Sequence, residues 1–110
     1  MTIKEYQDKA RRTQATGLST NDHLHHAVFG LASEAGEVAG ILQKKYQGHP
    51  VDREHIVKEL GDCLWMISEA CDALGISMEH VMQINILKLM ERYPEGFSAD
   101  RSMNRKADDI

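Results

Sequence analysis

Two cysteines and two prolines are all that the 110 residues contain of either type, and no apolar run approaches the ~20 residues a membrane span needs. Cys63 and Cys71 stand eight apart on one predicted helix, ~12 Å of rise, too far for a mutual disulfide. Both read as small buried hydrophobes of a reducing cytoplasm. Pro50 and Pro94 fall where helices are expected to end. The N-terminus lacks the apolar core of a signal peptide, so a cytoplasmic protein without membrane contact is expected. Positive charge is not in excess: 13 Lys and Arg face 17 Asp and Glu, a net charge of −4 that argues against nucleic-acid binding. A small nucleotide is not excluded, because bound metal can carry its charge. Strand-like alternation, internal repeats and low-complexity tracts are missing as well.

What remains is enough for one domain over residues 1–110. Hydrophobic residues make up 42%, sufficient for a core, and charged residues an ordinary 27%. Thr2-Ile3-Lys4-Glu5 is a capping-box pattern opening a first helix that runs to about Thr13 or Ala15. Residues 16–21 are rich in turn and cap types and read as a loop. A long second helix follows from about Asp22 to Gln47, closed by Gly48 with Pro50 beyond it. Asp52 is the N-cap expected for a third helix reaching Leu74, with Gly75 as its stop. Ser77 caps a fourth, which ends near Tyr93 ahead of Pro94. From about residue 98 the chain reads as an irregular polar tail. The expected fold is all-α, a bundle of about four helices around a central antiparallel helix hairpin.

Two features of these helices carry further weight. Gly30, Ala32, Gly36, Ala39 and Gly40 concentrate small residues in helix two, where each glycine costs ~1 kcal/mol. Close approach of a neighbouring helix or of a ligand would justify them. Helices three and four are apolar over more than one stripe, from Leu60 to Leu74 and from Val81 to Met90. Helices buried on most sides need more neighbours than four helices supply, so a homodimer or homotetramer is expected.

The chemistry concentrates between Leu31 and Leu64. Glu34-Ala35-Gly36-Glu37 and Glu59-Leu60-Gly61-Asp62 are two acid-x-Gly-acid couplets, and positions i and i+3 share a helix face. If Gly48 to Val51 is a tight turn, Glu37 and Asp62 fall at one level, with Glu34 and Glu59 within about two helical turns of it. One such pair on a solvated helix is commonplace; two matched pairs flanked by apolar sequence point to converging carboxylates. Hard divalent cations are their natural neutraliser, and an all-oxygen donor set suits Mg²⁺, with Mn²⁺ as a substitute, over Zn²⁺. A di-iron site would require Glu-x-x-His, which the chain does not contain.

The acidic pattern with its spacer resembles that of the MazG-type all-α nucleoside triphosphate pyrophosphohydrolases. The phrases Ser33-Glu34-Ala35-Gly36-Glu37-Val38, Lys58-Glu59-Leu60-Gly61-Asp62 and Asn85-Ile86-Leu87-Lys88-Leu89 resemble the family too. So does Arg92-Tyr93-Pro94-Glu95-Gly96-Phe97-Ser98. The similarity runs from Tyr6 to about Arg105 and is closest to short, single-domain members. It implies Mg²⁺-dependent hydrolysis of a (deoxy)nucleoside triphosphate to the monophosphate and pyrophosphate, as in nucleotide-pool cleaning. Glu34, Glu37, Glu59 and Asp62 match the family's metal-binding acids, with Glu37, or Glu34, the candidate to accept a proton from water.

Other residues are candidates for holding the substrate. Asn85, Lys88 and Arg92 share one face of helix four at i, i+3, i+7 and suit phosphate oxygens. Lys44, nearly in register with the acids, is a further phosphate candidate, although lysines in a last turn also offset the helix dipole. Trp65, one turn past Asp62, is a candidate for stacking on a base, against the commoner role of a core tryptophan. His23, His25 and His26 lie where a base pocket would be. Glu69 and Asp72, another acid pair, read as helix surface or an interface contact. A non-catalytic module binding Mg²⁺ or nucleotide, or a helical partner-binding protein, are the alternatives to an enzyme.

Overall fold

The computed structural model describes all 110 residues and contains five helices and no strand. They are α1 (Ile3–Arg11), α2 (Thr20–Lys45), α3 (Arg53–Leu74), α4 (Met78–Arg92) and α5 (Ala99–Met103). None is long and apolar enough to cross a membrane. The chain divides into two compact units, Met1–Met78 and Glu79–Ile110.

Local sequence sets most helix boundaries in the first unit. The Thr2 hydroxyl accepts from the Glu5 amide at 3.0 Å while the Glu5 carboxylate accepts from the Thr2 amide at 3.4 Å, a reciprocal capping box. α1 stops at Arg11, short of the expected Thr13, and the Thr13 hydroxyl donates to the Ala10 carbonyl at 2.7 Å. Ser19 caps α2 by accepting from the Asp22 amide at 3.1 Å, so this helix starts at Thr20, two residues before Asp22. Asp52 caps α3 by accepting from the His55 amide at 3.1 Å, and Gly75, in the left-handed region at φ 68°, closes it. The tight turn expected at Gly48–Val51 is instead a connection over residues 46–52, because α2 ends already at Lys45.

α2 and α3 pair antiparallel along their length. Glu34 meets Glu59 and Asp62, Gly30 meets Met66, and His26 and His23 meet Glu69, so one helix descends as the other rises. At Gly30 a Cβ would run into the Met66 Sδ, which is the close approach that this glycine permits. Gly36 and Gly40 face open space, so packing does not explain them.

α1 is tied to α3 through polar contacts. Asp72 accepts from the Gln7 amide group, the Arg11 guanidinium and the Gln14 amide group, each at 2.8 Å. Gln7, itself buried, also accepts from the Met78 amide at 3.0 Å. The buried apolar set is small: Ala10, Ala27, Cys71 and Met78. Cys63 is only half-buried, unlike Cys71, and both thiols are free. Many large apolar side chains of α2, α3 and α4 are exposed, among them Phe29, Val57, Leu60, Ile84, Leu87 and Met90.

The second unit departs from expectation at its end. The tail is not irregular from residue 98: Ser98 accepts from the Arg101 amide at 3.3 Å and caps α5. Ser98 followed by Asp100 in the first turn is an ordinary helix start that the polar composition hides. Tyr93 and Phe97 bring their rings to 5.5 Å across the bend at Pro94, and the Arg92 guanidinium lies over the Tyr93 ring at 5.8 Å.

Candidate metal centre and phosphate-binding residues

Three of the four acids gather at one point. Carboxylate oxygens of Glu34 on α2 and of Glu59 and Asp62 on α3 lie within 4.8 Å of one another. Glu34 and Glu59 are half-buried and Asp62 is exposed. His55, one turn before Glu59, places its Nε2 3.0 Å from a Glu59 oxygen, which fixes that carboxylate from the side. Burial first, then a hydrogen bond shared with Glu59 and the repulsion of Asp62, Glu59 and Glu37, pushes the Glu34 carboxyl above its usual range. The same Asp62 charge adds to burial in raising the Tyr6 hydroxyl.

Glu37 stands apart from this group. It is exposed and is not among the three converging acids, yet its charge reaches Glu34. The level-matching of Glu37 with Asp62 rested on a tight turn at Gly48. In the structure Gly30 faces Met66 and His26 faces Glu69, a register that brings Glu34, and not Glu37, level with Asp62.

Trp65 is half-buried, and its indole N–H donates to the Thr13 hydroxyl at 2.7 Å. Its ring meets His26 edge-on at 6.2 Å. Lys44 is exposed in the last turn of α2, where its charge offsets the helix dipole.

The reading of Glu69 and Asp72 as helix surface is corrected. Glu69 is 1% exposed and sits between two histidines of α2, 2.9 Å from His23 Nδ1 and 2.6 Å from His26 Nδ1. Asp72 is enclosed by Gln7, Arg11 and Gln14. The available signal was the i, i+3 pair His23 and His26 on one face of α2, which supplies two donors to a single carboxylate.

In the second unit, Asn85 is exposed, whereas Lys88 and Arg92 are half-buried and line a cleft of about 210 Å³. Arg101, Arg105 and Lys106 line it as well, with Glu91, Asp108 and Asp109 as the acidic members. Arg92 donates from Nε at 2.8 Å and from Nη2 at 2.7 Å to the two oxygens of Asp109. That pairing raises the Arg92 guanidinium further and, against burial, holds the Asp109 carboxyl below its usual range, with Arg105 and Lys88 adding to the effect. A hydrogen bond with Ser102, then Arg92 and Arg105, lowers the Tyr93 hydroxyl against its burial.

An all-helical chain with an all-oxygen acid cluster across a helix hairpin is the class of protein that this geometry defines. The model of the MazG nucleotide pyrophosphohydrolase domain matches residues 23–97, and the chain belongs to that family. It is also similar to the Gene 37 protein of Mycobacterium phage L5, with 29% identity over 87 residues, 74% of this chain and 76% of the phage protein. No solved structure matches the chain.

Proposed function

We propose that the chain is a Mg²⁺-dependent nucleoside triphosphate pyrophosphohydrolase, converting a (deoxy)nucleoside triphosphate and water to the monophosphate and pyrophosphate. Its role would be cytoplasmic nucleotide-pool cleaning. The observation that carries this reading is the convergence of Glu34, Glu59 and Asp62 from two helices within 4.8 Å. The three acids offer hard oxygen donors only. Burial first, and after it the hydrogen bond with Glu59 and the neighbouring acid charges, raise the Glu34 carboxyl, and a cation would relieve that repulsion. That donor set fits Mg²⁺, and Mn²⁺ in its place. Bound there, the metal would supply charge neutralisation for the triphosphate and acidity for a water.

The chain's own residues would do the rest. Glu37, exposed and outside the converging set, keeps a carboxylate available to accept the proton of the attacking water. As the water oxygen bonds to phosphorus, the bridging P–O bond breaks and pyrophosphate carries away the electron pair. Asn85, Lys88 and Arg92 are assigned to phosphate oxygens. The cleft that Lys88 and Arg92 line with three further cations supports the assignment of those two, and Asn85 is assigned from its place on the same helix face. Lys44 is a further phosphate contact, and the ring of Trp65 offers a surface for the base, since its N–H is already satisfied. The apolar faces of α3 and α4 left in solvent support assembly as a homodimer or homotetramer.

A panel of ribo- and deoxynucleoside triphosphates with Mg²⁺, read by pyrophosphate release and by ³¹P NMR, tests the reading. Turnover of at least one nucleotide to its monophosphate is expected. Binding without turnover would replace the enzyme by a nucleotide-sensing module, and no binding at all would leave a helical partner-binding protein.

A further inference from the structure

The cleft of the second unit gathers five cations, Lys88, Arg92, Arg101, Arg105 and Lys106, and its most enclosed guanidinium is already engaged. The side chains of Arg92 and Asp109 are only 11% and 16% exposed, and two parallel N–H···O bonds of 2.7 and 2.8 Å join them. A guanidinium fork of this geometry accepts a carboxylate or two phosphate oxygens equally well. Asp109 brings one charge, and with Asp108 and Glu91 the cleft still holds more positive than negative groups.

We propose that the segment Asp108–Asp109 is an internal substitute for phosphate: Asp109 occupies the Arg92 fork in the ligand-free chain, and an oligophosphate displaces it. This rests on the reading of Lys88 and Arg92 as phosphate contacts and adds to it a competing intramolecular ligand. An oligophosphate offers the same paired oxygens with more charge, and it reaches the cations that one aspartate leaves unsatisfied. The cost is that only the fraction of molecules with Asp109 released is competent to bind, so apparent affinity falls by that fraction. The segment would thus shift the whole binding curve to higher oligophosphate concentration by that factor, without changing its hyperbolic form.

Calorimetric titration of the full chain with inorganic tripolyphosphate in EDTA tests this, since the acidic cluster then has no metal to offer. Asp109→Asn is expected to bind tripolyphosphate roughly five- to tenfold more tightly than wild type, and Arg92→Ala to lose the gain when combined with it. Equal or weaker binding by Asp109→Asn, or binding by neither protein, overturns the proposal. A measurement on the wild-type chain stands beside it should the variant not fold. The Asp109 carboxyl ¹³C resonance should move on saturation with tripolyphosphate, and an unmoved resonance at saturation overturns displacement. The hydrolase reading is judged separately, by nucleotide turnover with Mg²⁺. Absence of turnover alongside a tighter Asp109→Asn variant would sink that reading and leave the internal ligand standing.

Discussion

His26 Nδ1 stands 2.6 Å from Oε1 of Glu69, and the other oxygen of the same buried carboxylate faces His23 Nδ1 at 2.9 Å. A carboxylate only accepts, so both rings must present Nδ1–H inward, leaving each Nε2 to the other side. One acid on α3 thus orients two rings on α2, and the T-shaped contact of His26 with Trp65 follows from that orientation.

Glu69→Ala should therefore cost about 2 kcal/mol of stability, because it strands the donor of the largely enclosed His23, releases that of the exposed His26, and opens a void between α2 and α3. Urea denaturation followed by circular dichroism gives the number. A loss below about 1 kcal/mol would mean that the α2–α3 pairing does not depend on this carboxylate.

Asp72 gives the fold a pH dependence of known sign. Burial would raise its carboxyl, but hydrogen bonds from Arg11, Gln7 and Gln14, with the Arg11 charge, outweigh it and hold the group below its usual range. A depressed folded-state pKa means that the unfolded chain takes up the proton first as pH falls. The stabilisation is therefore complete above the ordinary aspartate range and is lost on descending through the lowered folded value. At neutral pH, Asp72→Ala should cost about 2–3 kcal/mol. The gap to wild type should close as pH falls from about 5 toward 2. Stability curves of both proteins across that range, in which the gap stayed constant, would contradict the assignment.

These two polar clusters mark the limit of what was legible in the sequence. Helix boundaries were legible where the chain states them locally, as at Thr2 with Glu5, at Asp52 and at Gly75. Face-sharing was legible too, so Glu34, Glu59 and Asp62 could be placed on facing sides of a hairpin. Partners 43 to 65 residues away were not, since Glu69–His26 and Asp72–Gln7 exist only once α1, α2 and α3 are packed. The same spacing, i and i+3, describes a solvated pair and a buried one alike. Glu37 drifted out of the predicted set for a related reason: packed contacts such as Gly30 with Met66 set the register of α2 on α3, and they place Glu34 level with Asp62, about one helical turn from where counting out from the turn puts it. α5 was hidden because a single capping serine says little against a polar background.

Gly36 separates packing from function. A Cβ there meets nothing within 4 Å, so Gly36→Ala should stabilise α2 by about 0.5–1 kcal/mol through helix propensity alone. Gly30→Ala should gain less or lose, since its Cβ meets Met66. If Gly36, between Glu34 and Glu37, is kept small so that substrate can approach the helix, the stabilised variant should turn over more slowly. Paired melting and kinetic measurements on the two variants decide it. A more stable Gly36→Ala with full activity would show that the residue serves neither packing nor access.

Glu34 and Glu37 should separate metal binding from proton transfer. Glu34 is inside the converging set and carries the repulsion of the other three acids, so Glu34→Gln removes both a ligand and a source of strain. Without metal this variant should melt higher than wild type, and Mg²⁺ should raise its melting temperature far less than it raises that of wild type. Glu37 is exposed and outside the set, so Glu37→Gln should keep most of the Mg²⁺-induced shift. Its turnover should nonetheless fall by on the order of 10²–10⁴-fold, the range for loss of a positioned base. Melting curves with and without Mg²⁺, set beside turnover of the best nucleotide, separate the two roles. Loss of the Mg²⁺ shift in Glu37→Gln would make Glu37 a fourth ligand and return proton acceptance to Glu34, the half-buried acid whose proton affinity is already raised.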